Sequence, residues 1–526
     1  MNIFNRLDTI KNSTYSQLIN KFDSDEKYII KDGKVFLSGD FYKKQTRVAL
    51  KNHEIVNPES IDEYVALGGY YSLAKSIFDL EPVNIIDEIK NSNLRGRGGA
   101  GFPTGVKLEG AYLQDTDTKY IICNADEGDP GAYMDRSILE GDPHCIIEGM
   151  AIMARAIKAN KGYVYVRAEY PKAVEMLKKA IADAKKYNFL GDNIMGSDFS
   201  FDLDIRLGAG AFVCGEGTAL IQSIQGNRGM PQAKVYRTNE RGLFDKPTVL
   251  NNVETIANIP QIIEKGSEWF KSLGTEDSPG TKVFALVGKV VNAGLVEVPM
   301  GMTINEIVND IGGGTTDNKA LKAVQTGGPS GGCIPVELFD TPVDFISLEK
   351  IGSIMGSGGM VVMNESDCMV DIAKFFMKFT VDESCGKCTP CRIGNMRVLE
   401  LLEKITSGHG TLEDLNKLEE LCTVITDTSL CGLGKTATTP VISSMKYFKE
   451  EYLEHIEENK CKASICLDLL QYVITDGCVG CGICKRKCPV NAISGEKRNL
   501  HVIDNELCIK CNACLEACPV SAIEKK

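Results

Sequence analysis

Eight cysteines near the C-terminal end constrain this chain more than any other feature. Cys478, Cys481, Cys484 and Cys488 are followed by Pro489, and Cys508, Cys511, Cys514 and Cys518 by Pro519. Both runs read C-x2-C-x2-C-x3-C-P, in which three close thiolates hold three corners of a 4Fe-4S cube. In two-cluster units of this kind the fourth cysteine of each run ligates the other cube. The expected sets are Cys478, Cys481, Cys484 and Cys518 for one cluster, and Cys508, Cys511, Cys514 and Cys488 for the other. Zinc knuckles or a disulfide knot need neither the doubled spacing nor the two Cys-Pro endings. A segment built this way moves single electrons.

The chain of 526 residues is too long for one core and predicts roughly three to five domains. A net charge of -12 argues against a nucleic-acid partner, which would favour a basic face. Twenty cysteines would suggest disulfides in a secreted protein. Here at least twelve fall into ligand-spaced groups, pointing to a reducing, cytoplasmic setting. The start of the chain lacks the apolar core of a signal peptide. No apolar run reaches about 18 residues, so no membrane span is expected.

Composition and periodicity divide the chain into a multi-domain α/β protein. Residues 1–80 read as an N-terminal extension without a cluster, carrying one strand signal, YIIKDGKVFLSG. Over 81–270, strand-like runs (YIICNADEG, GYVYVRAE) alternate with helical ones (Ile146 to Lys158, PKAVEMLKKAIADAKK), which predicts a Rossmann-like α/β domain. Residues 271–360 predict a small α+β unit of β-grasp type, and 361–455 a helical bundle with a second cysteine group. A short hinge over 456–475 leads to the two-cluster unit at 476–526, whose halves form the clear internal repeat.

The α/β domain opens on a glycine-dense loop, Arg95 to Gly105, followed by Lys107. Glycines let backbone N–H groups approach a bulky or anionic ligand, although such a loop alone is also a plain tight turn. It matches neither the dinucleotide fingerprint nor the P-loop. Nearby, YIICNADEGDPG ends in Asn124, Asp126, Glu127 and Asp129, a cluster at the carboxyl end of a strand, where open sheets bind ligands. Gly215, Glu216 and Gly217 then begin a predicted helix, and Asn251-Asn252 follow another apolar run.

With these motifs in order, the chain resembles the flavoprotein subunit of respiratory complex I. It is still more similar to the β subunit of electron-bifurcating iron-iron hydrogenases and related bifurcating NAD(P)-dependent oxidoreductases. RGRGGAGFPTG-x-K, CNADEGDPG, NNVET, ESCGKCTPCR and SLCGLG carry the likeness, from about residue 40 to the end. The resemblance implies FMN held by Gly96, Arg97, Gly98, Lys107, Asn124, Asp126, Gly215, Glu216, Asn251 and Asn252. It implies a nicotinamide stacked near Phe102, Glu127 and Asp129, with Gly217, Lys234 and Arg237 around the rest of the nucleotide. Many such subunits begin with a thioredoxin-like 2Fe-2S domain; no cysteine precedes Cys123 here, so that domain's cluster is not expected in this sequence.

Three departures bear on the nucleotide. Gly217 stands where the family usually has a second glutamate, Lys234-Val235-Tyr236-Arg237 replaces Pro-Pro-Phe-Pro, and Leu108 replaces a tryptophan. A carboxylate beside the ribose repels a 2′-phosphate and an arginine attracts it. One charge pair at about 4 Å is worth roughly 4 kcal/mol at an effective dielectric of about 20. The departures lean toward NADPH; a remodelled NADH site is the plainer reading, and loss of nucleotide binding a third.

Cys385, Cys388 and Cys391, with Cys431 from a distant loop, suit a third 4Fe-4S cluster placed to receive electrons from the flavin. In the hinge, His455, Cys461 and Cys466 form a partial soft-ligand site consistent with structural zinc. The fourth ligand is not visible, and two reduced cysteines beside a surface histidine is the alternative. Cys123, Cys145, Cys214, Cys333, Cys368 and Cys422 read as buried, unreactive thiols.

The function expected is hydride exchange between NAD(P)H and FMN, then single-electron transfer through the clusters. No catalytic side chain is expected, because the flavin carries the chemistry. The resemblance implies a multi-subunit, electron-bifurcating complex. Its other parts would be ferredoxin, a thioredoxin-like 2Fe-2S subunit and a third catalytic subunit acting on hydrogen, formate or a nicotinamide couple. The alternative is an electron-relay scaffold that has lost nucleotide binding.

Overall fold

The computed structural model describes residues 3–31, 34–233 and 235–525. An N-terminal helix, Ile3–Asp23, precedes a hairpin of β1 (Tyr28–Lys31) and β2 (Lys34–Leu37). The hairpin coincides with the predicted strand signal. The next elements do not form a separate extension. Ala49, Leu50, Tyr64, Tyr70 and Leu73 are buried in one core with Ile121, Ile146 and Val164. A boundary at residue 80 therefore cuts through a continuous core, because polar loops between these short helices hide an unbroken apolar surface.

That core surrounds a parallel sheet of β3 (Tyr120–Ala125), β4 (Lys161–Arg167), β5 (Asp202–Gly208) and β6 (Thr248–Asn252), ordered β5-β4-β3-β6. The chain steps outward from β3 through β4 to β5, then returns to β6 on the other side of β3. Such a reversal opens a crevice at the strands' carboxyl ends. Register pairs Cys123 with Asn251 and Asn124 with Asn252, so three predicted site asparagines sit at that crevice. Helix Pro143–Ile157 is apolar on nearly every side and is almost wholly buried, as expected of a helix enclosed by its neighbours.

A second sheet contains β7 (Thr281–Gly288), β8 (Gly294–Pro299), β9 (Leu321–Thr326), β10 (Cys333–Pro335) and β11 (Gly359–Asn364). Its order is β8-β7-β11-β9-β10, with β7 and β11 parallel at the centre. Numbered within the sheet this is 2-1-5-3-4, the β-grasp order. The boundary expected at 360 falls inside β11, so the unit runs to Asn364.

A buried ion pair joins the two sheet domains. Lys282 Nζ meets a carboxylate oxygen of Glu254, both side chains essentially inaccessible, and the other oxygen accepts from Val283 N–H at 2.9 Å. Removing one member leaves an uncompensated charge, so Lys282→Ala is expected to cost about 3–5 kcal/mol. Calorimetry should show this as a lower unfolding midpoint; an unchanged midpoint would mean that Glu254 is held neutral without its partner.

The helical unit contains Met369–Asp382, Asn395–Thr406, Leu412–Thr428, Thr439–Tyr447 and Lys449–Glu457. Thr411 and Asp414 form a reciprocal capping box at the start of the third of these. The C-terminal unit has two short helices, Ile483–Lys487 and Ala513–Glu516, each following a cysteine loop. No described helix is long and apolar enough to cross a membrane.

Candidate flavin and iron-sulfur site

The glycine loop lies across the crevice. A Cβ on Gly98 would stand 2.9 Å from Asn252 Cβ, and Gly99 adopts φ +111° against Gly356, so both positions require glycine. Lys107 Nζ donates to Leu250 O at 3.1 Å and to Asn251 Oδ1 at 3.0 Å. Asn124 Nδ2 donates to Gly215 O at 2.9 Å, tying the end of β3 to the start of helix Gly217–Ile224. Gly96, Gly98, Lys107, Asn124, Asp126, Gly215, Asn251 and Asn252 are thus brought to one place. Phe102 stands partly exposed beside them, its ring 6.0 Å from Lys107 Nζ.

Several buried polar atoms here lack hydrogen-bond partners: both carboxylate oxygens of Asp126, Asn251 Nδ2, Thr104 Oγ and Arg167 Nη1. Groups of this kind are costly unless something satisfies them. A polyhydroxylated chain with an anionic end offers the donors and acceptors needed, so the residues fit FMN. Burial pushes the Asp126 carboxyl up to about 7, against the pull of Arg167, whose nearest nitrogen is 3.7 Å away. Burial also raises Glu127 to about 7 and Asp129 to about 6. Glu127 accepts from Asp135 N–H at 3.0 Å and Arg136 N–H at 3.2 Å, while Asp129 accepts from Ser357. These two carboxyls are anchored by the protein itself, as positioning groups would be.

Two expected ligands are otherwise engaged. The Arg97 guanidinium is fully buried and donates to Thr281 O, Arg95 O and Pro279 O at 2.7–2.9 Å. Its N–H bonds Thr255 Oγ at 2.8 Å. Arg97 therefore bolts the loop to the β-grasp unit rather than facing the crevice; within RGRGG its charge is indistinguishable from a ligand's. The Glu216 carboxylate caps its own helix, accepting from Thr218 N–H at 2.9 Å and Ala219 N–H at 3.1 Å. Gly217 begins that helix, with space beside it: an added Cβ would touch only Leu250, at 3.7 Å. Arg237 is exposed, its N–H bonded to Glu240 at 3.2 Å. Lys234 lies outside the described residues.

The second cysteine group abuts this crevice. Cys385 and Cys431 pack with Cys214, Val213 and Leu433 in one apolar cluster. The turn Phe212–Gly215 bridges the two sites: its Phe212 ring lies 5.4 Å from Phe379, and Phe212 N–H donates to Glu383 at 2.8 Å. Lys387, between two cluster cysteines, donates to Pro231 O at 2.6 Å and to Gln232 at 3.2 Å. Gln232 N–H in turn bonds Thr218 Oγ at 2.9 Å. Ser384 Oγ and Asn395 Nδ2 approach Cys391 Sγ at 3.3 and 3.4 Å, contacts that tune a thiolate. Glu383 and Lys387 were not anticipated, because their roles depend on contacts across the domain boundary; Thr104 and Arg167 stand out only once burial leaves their polar atoms without partners.

In the C-terminal unit, one cavity is lined by Cys478, Cys481, Cys484 and Cys518, and the other by Cys508, Cys511, Cys514 and Cys488. The crossed pairing is the one the spacing predicts. Ala492 N–H to Cys488 Sγ (3.2 Å) and Ala522 N–H to Cys518 Sγ (3.3 Å) repeat the same contact in each half.

His455, Cys461 and Cys466 also come together, and they are joined by Cys368. The four ligand atoms lie within 4.8 Å of one another and all four residues are buried. His455 Nε2 is 3.4 Å from Cys368 Sγ and 3.3 Å from Cys466 Sγ; the two sulfurs are 3.8 Å apart. A tetrahedron with zinc–sulfur bonds of about 2.3 Å has edges of about 3.8 Å. His455 Nδ1 faces Glu451 O at 2.6 Å, which turns Nε2 toward the sulfurs. Cys368 is thus corrected from an inert thiol to a member of this group. Cys422 stays apart, its thiol raised to about 12 by burial.

Known proteins carry the same parts. The family model for the Nuo51 FMN-binding domain matches residues 89–261, that for the NADH-ubiquinone oxidoreductase-F iron-sulfur binding region matches 371–455, and a 4Fe-4S dicluster domain matches 477–523. The NADP-reducing hydrogenase subunit HndC of Solidesulfovibrio fructosivorans is 55% identical over 87% of this chain and 94% of its own length. The F 2 component of the NADH-quinone oxidoreductase of Rhizobium meliloti is 44% identical over 79% and 98%. The crystal structure of an NAD+-reducing [NiFe]-hydrogenase in the H2-reduced state superposes with a TM-score of 0.69 at 32% identity, over 79% of this chain and 68% of that one. The chain belongs to the complex I 51 kDa family of FMN-binding, iron-sulfur oxidoreductase subunits.

Proposed function

We propose that this chain exchanges hydride between NAD(P)H and FMN and passes electrons singly through three 4Fe-4S clusters, as the diaphorase-type subunit of an electron-bifurcating complex. The observation that carries this is adjacency. One short turn, Phe212–Gly215, has the flavin crevice at its end and Glu383, two residues before Cys385, at its start. Bound FMN would supply the conversion between paired and single electrons. Asp126, Asn251 and Thr104 would hold it, Glu127 and Asp129 would position the nicotinamide, and the glycine loop would exclude water. The naming of a 55%-identical relative as an NADP-reducing hydrogenase subunit supports a third subunit that handles hydrogen or a comparable two-electron couple. A thioredoxin-like 2Fe-2S subunit and ferredoxin complete the proposed assembly. The Cys368, His455, Cys461 and Cys466 group is proposed to hold one structural zinc.

The raised Asp126 carboxyl gives this reading a pH signature. Ligand hydroxyls donating to Asp126 favour its ionised form, so FMN binding should release a proton. Affinity for FMN is expected to increase as pH rises toward about 7 and to level off above it. Asp126→Asn should flatten the profile in fluorescence-quenching titrations of flavin-free protein. A parent profile that falls with rising pH contradicts the assignment.

Nucleotide choice is tested by anaerobic stopped-flow reduction of the flavin in the complete complex. NADPH should show the higher kcat/KM. Gly217→Glu, which the open space permits, should shift preference toward NADH. Arg237→Ala should weaken NADPH alone, by roughly 1–3 kcal/mol. NADH equal to NADPH in the parent defeats the preference, and no reduction by either defeats the diaphorase reading.

A further inference from the structure

The two halves of the dicluster unit share one ligand pattern, so each serves as a control for the other. Both present an exposed cysteine, Cys481 and Cys511, beside an exposed apolar residue, Val479 and Ile509. They differ in charge. The first half continues Lys485-Arg486-Lys487, where the second has Leu515-Glu516-Ala517. Between 480 and 500 there are five basic residues and one acidic, in a chain of net charge -12.

The fold brings this charge to the rim of one cluster. The insert bearing Lys497 and Arg498 lies directly over the first cysteine loop, with Arg498 N–H bonded to Gly480 O at 2.9 Å. A Cβ on Gly480 would fall 2.5 Å from the Arg498 backbone, and one on Gly482 would fall 3.7 Å from Arg486 Nη1. Val479 and Val520, 57% and 44% exposed, line the same cavity as Cys481. The second half differs here too: Lys510 is bonded to Leu470 O and Asn512 to the Tyr472 hydroxyl, so its loop faces the linker. An apolar centre over a redox group within a basic rim suits brief, electrostatically steered encounters.

We propose that the rim of the first cluster, Val479, Cys481 and Val520 ringed by Arg486, Lys497 and Arg498, is the docking face for a small acidic one-electron carrier protein. The inference rests on the proposed relay function and assigns that relay its exit. One electron crosses per encounter: the cluster is oxidised by one, the carrier is reduced by one, and no proton or bond is exchanged.

The test uses the complete complex and a purified acidic 2[4Fe-4S] ferredoxin as probe. In the parent, the association rate should fall steeply as potassium chloride is raised. Arg486→Glu/Lys497→Glu/Arg498→Glu should lower it by roughly tenfold or more at low salt, with full iron content and unchanged NADPH-driven viologen reduction. The neutral Gln triple, a gentler change, should show a smaller loss in the same direction. An unchanged rate in both triples overturns the proposal. So does a parent that reduces viologen but binds no ferredoxin at any salt, while leaving the relay intact. Failure of the triple to assemble with its subunits on size-exclusion also overturns it, assigning this face to a permanent interface. A parent lacking the dicluster unit's iron defeats the relay reading itself.

Discussion

Cys368→Ser is expected to remove one zinc per chain as completely as Cys461→Ser, although nothing in local sequence joins residue 368 to the hinge. The four buried ligand atoms match a mononuclear tetrahedral ion, being within 4.8 Å, much closer than the corners of a 4Fe-4S cube allow. Structural zinc in small modules contributes on the order of 10 kcal/mol, so the loss should loosen the hinge and the start of helix Met369–Asp382 together. Metal analysis with calorimetry reads both effects. FMN and iron should stay, and Cys422→Ser should change neither metal. Parent protein with full iron and no zinc, or a zinc-replete Cys368→Ser variant, refutes the assignment.

Cys391→Ser should lower the iron content from about twelve to about eight atoms per chain, with FMN retained and the dicluster unit intact. NAD(P)H should still reduce the flavin, while reduction of the dicluster unit, followed by its paramagnetic signals, should fall to background. Cys385 and Cys431 pack against Val213 and Cys214 beside the flavin crevice, which makes the middle cluster the expected first acceptor. Rapid reduction of the dicluster unit in the variant would place its electron entry elsewhere.

Cysteine spacing made the dicluster unit legible because all its ligands come from two short loops. Alternating strands and helices likewise disclosed the α/β layering, and Asn124 followed from a strand end, while Asn251 and Asn252 came with the family resemblance. What escaped the sequence was contact between distant segments. Arg97 looks like a ligand until Pro279 and Thr281 supply the carbonyls that bind it. Cys368 stands 87 residues from His455; the one clue was that three soft ligands require a fourth, with six unassigned cysteines to choose from. The boundary at 80 failed similarly, since the segment before it shows its apolar face only when docked on Pro143–Ile157.

The junction between the helical and dicluster units has a mechanical consequence. Leu469 is buried in the helical core and Leu470 in the dicluster core, so the chain passes from one body to the other across a single peptide bond, without slack. Such a joint permits turning but not separation. The cluster of Cys508, Cys511 and Cys514 sits beside Tyr472 and Lys510, close to the pivot. Any turn about that bond would leave its distance to the helical unit nearly constant, as at the hub of a wheel. The Cys481 cavity is bordered by Ile474 rather than Tyr472, one step farther along the strand, so its rim would travel the wider arc and could be re-aimed while the nearer cysteines keep their place.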